Sequence, residues 1–356
     1  MKFPKKEENY GYPAHRPETS FFLDWKNLAF AIILFLPIPV FFFSIFLGTY
    51  SLSPIELIRV LLSHITSYEY SYPSVYDTVI FNIRFPRVLL AMIVGAALST
   101  SGATFQGIFR NPLVSPYILG LSSGAAFGAA LSIAVIPELP AQVGAFIFSL
   151  VALGFSYTMA RVGKQTSTVA LILSGVITSS VFGALLSIIQ YMTDEKAVQS
   201  IVYWTLGCLH TACWSKFSDS FPLVAIGCLI IYLLRWKLNV LALGEEEAKS
   251  VGMNVELYKT IFIITASLAA SAAVAVAGII GLLGLIVPHI LRMIFGPDHR
   301  KIIPLSITFG AAFLALVDDI ARSTFGFEIP VGIITTLLGA PFFLYLLRTT
   351  KVGGWE

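Results

Sequence analysis

Two adjacent carboxylates, Asp318 and Asp319, stand in an apolar stretch with Arg322 one helical turn further on. Ionisable groups inside a hydrophobic run mark charge-relay pathways, or structural pairs when a counter-ion lies three or four residues away. Elsewhere the chain is poor in reactive side chains. Gly163-Lys164 is followed by Gln165, and Thr158 stands where the phosphate-binding pattern G-x-x-x-x-G-K-S/T requires its first glycine, which argues against ATP binding by that route. Neither G-x-S-x-G nor H-E-x-x-H occurs, and the five histidines are scattered. Cys208, His210 and Cys213 lie close together, but no fourth ligand for a tetrahedral ion is evident. Together with Cys228 the cysteines have neither disulfide-framework nor zinc spacing, and they read as small apolar filler at helix ends. No catalytic residue, metal site or cofactor is expected, and a passive conduit driven by something else fits this inventory best.

The elements that must position these residues are membrane helices. Hydrophobic residues make up 56% of the 356 and charged residues only 12%, with a mean hydropathy of +0.82, whereas a soluble domain carries roughly a quarter charged residues. So little charge cannot cover a water-facing surface, so the bilayer must solvate much of the exterior. Apolar runs of about twenty residues, the length a helix needs to cross hydrocarbon, predict ten spans. They fall near 28–49, 88–109, 117–136, 141–160, 168–192, 217–236, 258–277, 279–295, 303–323 and 331–348. The spans 117–136, rich in small residues, and 279–295, short and holding Pro288, His289 and Arg292, are candidates for broken or partial helices. The first apolar run follows a basic leader but lacks a cleavage site of small residues, and is read as an uncleaved span. The fold class is therefore all-α and polytopic. It comprises a leader (1–27), a transmembrane domain (28–350) and a tail (351–356).

If both termini are cytoplasmic, all but six of the 23 Lys and Arg fall in inside segments, the exceptions being Arg59, Arg84, Arg87, Lys196, Lys216 and Arg322. This asymmetry orients the chain in a cell membrane. A net charge of +3, spread along the chain, gives no reason to expect nucleic acid. Ala91, Gly95, Ser99, Ala103 and Gly107 form one small-residue stripe, and Gly120, Gly124 and Gly128 another; in lipid such stripes let helix backbones approach. Outside the spans, 50–87 forms a long outer loop with helix-like pieces. Residues 238–257 form an inner loop that reads as two short helices broken at Gly252, with Gly244 before an acidic first turn.

Several stretches resemble the permeases of type II ATP-binding-cassette (ABC) importers, the iron-siderophore, haem and cobalamin permease family known as FecCD. Arg84-Phe85-Pro86-Arg87, Val94 to Leu98 and Ser101 to Gln106 are similar to its R-x-P-R, V-G-A-A-L and S-G-A-x-x-Q run. Arg110 to Leu113, Gly120 to Ala125, Leu243 to Glu246 and Val287 to Ile290 continue the likeness. Gly296 to Arg300, Asp318 to Arg322, Glu328 to Gly332 and Leu338 to Pro341 complete it, in order, from about residue 50 onward. Ser115 stands where the family often has an acidic residue, Asp319 adds a second carboxylate, and the leader is longer than usual.

The resemblance implies a ten-helix permease in a homodimer or close heterodimer, two cytoplasmic ABC ATPase subunits and an external substrate-binding protein. Gly244, Glu245, Glu246, Ala248, Ser250 and Gly252 would form the element that docks on the ATPase, against the alternative of a solvated loop. Arg84, Arg87 and Arg322 would meet acidic residues of the binding protein. The alternative is that Arg322 pairs with Asp318 or Asp319 while Arg84 and Arg87 anchor a helix end. His289, Arg292, Gln106 and Asn111 read as structural. Ferric siderophore, haem, cobalamin and oxyanions such as molybdate all remain candidate cargoes. A membrane enzyme would need a nucleophile–base set that the spans lack, and a secondary transporter would work without an ATPase.

Overall fold

The computed structural model describes residues 20–48, 50, 52–65, 72–163, 165–324 and 327–349. The leader up to residue 19, the tail 351–356 and Lys164 lie outside the described residues. In chain order the helices are α1 (Ser20–Phe35), α2 (Pro37–Phe46), α3 (Pro54–Ile65), α4 (Val75–Asp77) and α5 (Phe85–Phe109). There follow α6 (Leu121–Ala134), α7 (Ala141–Ala160), α8 (Thr168–Met192), α9 (Glu195–Thr205) and α10 (Trp214–Leu243). The series closes with α11 (Glu245–Ser250), α12 (Val255–Ala277), α13 (Leu283–Phe295), α14 (His299–Ser323) and α15 (Val331–Thr349). Apart from a two-residue ladder pairing Arg161 with Thr166, the described chain is helical or irregular.

A helix lies at each of the ten expected spans. Six are long and apolar enough to cross a membrane, and α1 with α2 adds a seventh, bent by 45°. The bend falls at Pro37, which lacks the N–H that a continuous helix would use. Leu121–Ala134, Leu283–Phe295 and Val331–Leu344 are shorter. The first two are the segments singled out in the sequence as broken or partial.

Three expectations need correction. α1 begins at Ser20, inside the expected leader. The second span starts thirteen residues early, at Val75, because α4 runs through a π-helical segment, Thr78–Arg84, into α5. The wider π turn accommodates Pro86, whose ring would clash with the preceding turn of a regular α-helix. The inner loop holds one short helix rather than two, since residues 238–243 continue α10 and Val255 already belongs to α12.

α5 is the central pillar, buried along nearly its whole length. The small-residue stripe explains how other helices reach it. A Cβ on Gly95 would lie 2.2 Å from the Gly310 carbonyl of α14; off the stripe, on another face of α5, one on Gly102 would lie 1.9 Å from the Gly284 carbonyl of α13. Ser99 Oγ donates to the Ser306 carbonyl at 2.6 Å, stitching α5 to α14. The second stripe works likewise, with Gly128 and Gly144 closing α6 on α7. α8 and α10, by contrast, turn large apolar side chains such as Leu173, Val181 and Leu233 outward, as lipid-facing or partner-facing helices do.

Two stretches of irregular backbone enter the bundle, 110–120 and 278–282, and each supports the other. Tyr117 Oη donates to the Ile280 carbonyl at 2.9 Å, and Gly284 packs on the Pro116 ring. Non-helical backbone at membrane depth persists only where protein satisfies it in this way.

Because Gly95 abuts backbone, Gly95→Ala is expected to lower the melting temperature of detergent-purified protein, an overpacking cost of about 1–3 kcal/mol. Gly183→Ala, with nothing within 4 Å of the added carbon, leaves it unchanged or slightly raised.

Candidate functional site

Polar chemistry collects at the two ends of the bundle. At one end, the side chains of Arg84, Arg87, Asp318, Asp319 and Arg322 are all buried. Arg87, near the start of α5, places Nε and Nη2 each 2.9 Å from Asp318 of α14, and Nη1 2.9 Å from Glu328 ahead of α15. Its planar fork thus bridges two carboxylates from different elements, a geometry lysine cannot reproduce. Arg322 donates to Asp319 and to the Ser44 carbonyl at the end of α2, while Ser44 Oγ donates to Asp319 at 2.6 Å. Arg84 caps the end of α2, donating to the carbonyls of Ile45 and Tyr50. Three guanidinium groups against three carboxylates leave the cluster formally neutral.

This places the three arginines differently from the docking role that the resemblance implies. All three turn inward onto partners in their own chain, as a helix-end anchor does. Glu328, about one-third exposed, is the part of the network that reaches the surface. Sequence reasoning quoted Glu328 within a motif and missed it as a partner, because it lies 241 residues from Arg87. Ser44 carried no signal at all.

At the opposite end, α10 stops at Gly244, whose φ of +142° suits glycine, and α11 projects as a single turn and a half. Ala248 is fully buried beneath it and Met253 nearly so, while Glu246, Glu247, Lys249, Ser250, Val251 and Gly252 are exposed. Glu245 is held from below by Lys259 of α12, Nζ to Oε1 2.6 Å, and the same Nζ donates to the Thr166 carbonyl at 2.8 Å. Lys259 is 3% exposed on its side chain, and its sequence context marks it only as one of the Lys and Arg in inside segments. The result is a rigid knob: an acidic rim around exposed Leu243, Val251 and Leu257, on a fixed base. Beside it, Asp298 caps α14; burial alone would raise its carboxyl, but donors from Arg300 and Asn239 outweigh that and hold it at about 2.

Gln106, Asn111 and Arg292 gather at the far end of α5, on the α11 side of the bundle. Arg292 donates to Gln106, whose amide reaches the carbonyls of Val114 and Gly284, and Asn111 caps the turn that follows α5. His289 is buried against the edges of Phe342 and Phe343 of α15. Among the described residues no cluster of three or more His, Cys, Asp or Glu could hold a metal ion.

A polytopic helical bundle with broken inner helices, one buried ion network and one projecting acidic knob suits a membrane transport subunit. The model of the FecCD transport family matches residues 33–349, and the chain belongs to that family. It is 38% identical over 334 residues to the molybdate import system permease protein of Haemophilus influenzae, covering 93% of this chain and 98% of the relative. It is also 38% identical over 286 residues to the cobalamin import system permease protein of Halobacterium salinarum, covering 80% and 77%. A solved structure described as an inward-facing conformation of a metal-chelate type ABC transporter superposes with a TM-score of 0.79 at 35% identity. It covers 91% of this chain and 100% of that one. The chain is thus an ABC importer permease, a transport component rather than an enzyme, and a multi-pass membrane protein.

Arg87→Ala would strand two carboxylates, one fully buried, and is expected to cost about 3–5 kcal/mol, read as a lowered melting temperature of the purified permease. The double variant Arg87→Met with Asp318→Leu removes the buried carboxylate together with the arginine, keeps the cluster neutral and leaves only the partly exposed Glu328 unpaired, and is expected to recover part of that loss.

Proposed function

We propose that the chain forms the translocation pathway of an importer for a metal chelate such as a ferric siderophore, haem or cobalamin. Two copies pair side by side, with the α11 knob of each seated on one of two cytoplasmic ATPase subunits and an external binding protein on the Arg87 end. Both termini then lie in the cytoplasm, in keeping with the bias of Lys and Arg to that side. The outward apolar faces of α8 and α10 supply the lipid-facing and partner-facing surfaces.

The observation that carries this reading is the knob. Work done by ATP must enter through a contact stiff enough to transmit it. α11 is short, anchored by buried Ala248 and by the Lys259–Glu245 pair, and presents Glu246, Glu247 and Val251 outward. Gly244 and Gly252, both at positive φ, bracket it at fixed angles, and Ser250 closes it by donating to the Glu247 carbonyl. An acidic rim around apolar side chains suits a groove with basic edges.

For the binding protein, direct contact by Arg84, Arg87 and Arg322 would require buried guanidinium groups to leave their internal partners. The network instead holds the ends of α2, α5 and α14 and the segment before α15 as one surface, on which Glu328 is presented. The difference in named cargo between the molybdate and cobalamin relatives, at equal identity to this chain, supports placing selection largely in the binding protein.

Co-expression with a cognate ABC ATPase subunit tests this. The wild-type permease is expected to copurify with it, whereas Glu246→Lys with Glu247→Lys loses it while eluting from size exclusion as folded protein. Retention of the ATPase by the double variant would overturn the assignment of the knob, and failure of any ATPase to copurify with the wild type would overturn the importer reading.

A further inference from the structure

Toward its α11 end, α10 carries a cluster that neither the ion network nor the knob employs. Its outward stripe, Ile226, Leu229, Leu233 and Trp236, is at least half exposed at every position. At the end of the stripe two cations flank Trp236, since residues 235 and 237 each lie about 100° around the helix from it, one on either side. The apolar run expected in the sequence closes at 236, yet α10 continues to Leu243 and then, through Gly244, into α11. Arg235, Trp236 and Lys237 therefore stand where hydrocarbon gives way to headgroups.

Both cations rest on aromatic rings. The Arg235 guanidinium carbon lies 4.0 Å from the Tyr232 ring centroid, and Nη1 donates to the Tyr232 carbonyl at 2.6 Å. Tyr232 is one turn nearer the middle of the bilayer, so this arginine turns away from the water at that end, and its Nε is buried with no hydrogen-bond partner among the described residues. Lys237 Nζ lies 3.9 Å from the Trp236 centroid and 4.8 Å from that of Tyr258 at the start of α12. Neither Arg235 nor Lys237 takes part in the ion pairs found among the described residues. Of the carboxylates on neighbouring elements, Glu245 and Glu256 are engaged by Lys259, and Asp298 by Arg300 and Asn239. Glu246 and Glu247 stand exposed on the rim of the knob.

Aromatic faces offset part of the cost of withdrawing a cation from water, but they carry no net charge, so two positive charges remain to be matched. At the edge of hydrocarbon the bilayer itself supplies the anion, as a lipid phosphate. The stripe leading away from the cations has the matching length. From Ile226 to Trp236 the helix rises about 15 Å, the hydrocarbon depth of one leaflet.

We propose that this end of α10 is a binding site for one anionic phospholipid of the adjacent leaflet. Its headgroup phosphate is held between Arg235 and Lys237 across Trp236, and an acyl chain lies along Leu233, Leu229 and Ile226. A free anion would leave that apolar stripe uncovered. Through Tyr258 the lysine also touches α12, which with α10 frames α11, so the lipid braces the base of the knob. The site goes beyond the importer reading and holds for any cargo.

The test is native mass spectrometry of the full-length permease in detergent, titrated with dioleoyl phosphatidylglycerol or dioleoyl phosphatidylcholine. One phosphatidylglycerol per chain is expected to bind about tenfold or more tightly than phosphatidylcholine, as two cations near a lipid phosphate imply. Arg235→Gln with Lys237→Gln is expected to abolish that preference, and Arg235→Lys with Lys237→Arg to keep most of it. Arg161→Gln with Lys301→Gln, which neutralises two exposed cations of the same end, leaves it unchanged. Should the first double variant not fold, Arg235→Gln alone is expected to lower the preference about fivefold. Equal affinity of the wild type for the two lipids, or equal loss in both neutralised double variants, would overturn the proposal. So would release of the bound lipid by millimolar inorganic phosphate, which would assign the cations to a free anion. Loss of the dimer in the Arg235→Gln, Lys237→Gln variant with lipid affinity unchanged would assign the face to a second copy and overturn it as well.

Discussion

The contact between α5 and α14 is the constraint from which the rest of the structure follows. In lipid no hydrophobic force draws two helices together, so they hold only if their backbones come close enough for dispersion and polar contacts to add up. Gly95 and Gly310 remove the side chains that would prevent this, and Ser99 fixes the register by donating to Ser306. From that crossing the antiparallel geometry does the rest. Arg87 lies eight residues before Gly95 and Asp318 eight after Gly310, so both sit about 12 Å along their helices, at the same depth. In the other direction the same crossing brings Gly107 against the His299 ring. The ion network is therefore a consequence of the seam, and it in turn gathers α2 and the segment before α15.

The two ends of the bundle are linked by rigid elements. α5 and α14 run from the Arg87 network to the vicinity of α11, and Lys259 ties α11 to α12, which packs on α5. The irregular stretches 110–120 and 278–282 lie between the ends, and they are where such a bundle can change shape. Their polar groups are satisfied by single contacts, such as Tyr117 to Ile280, rather than by a continuous helical ladder. α15 is attached at its start by Gly332 to Gly207 and by the Arg87–Glu328 pair nearby, and along its length packs on α13. In the importer reading, force arriving at α11 would be expressed at these sparsely held points.

Much of this was legible in the sequence. The ten apolar runs each found a helix, because the length needed to cross hydrocarbon is a strong and local signal. The two glycine stripes named packed helix faces correctly, since a four-residue repeat of small side chains has few other uses in a membrane helix. Less legible was anything depending on partners distant in the chain. Arg84, Arg87 and Arg322 read as outward charges because an arginine near a span end has no local mark of the direction it faces. Their partners, Ile45, Asp318, Glu328 and Ser44, come from other elements, save for Arg322 with Asp319 on the same helix face. The early start of the second span was hidden by Pro86, which a π segment tolerates and an α-helix would not. Of the two short helices expected at 238–257 only α11 remains, because Leu238 to Leu243 continues α10 until Gly244 ends it and Val255 already opens α12.

The central claim is that this chain opens and closes a route while a separate subunit supplies the energy. Reconstitution of the permease in sealed liposomes, alone and with its ATPase and binding protein, measures it most directly through uptake of radiolabelled ferric chelate. Uptake that requires all three components and ATP on the ATPase side is the predicted result. Accumulation by the permease alone, driven by an ion gradient, would contradict the account.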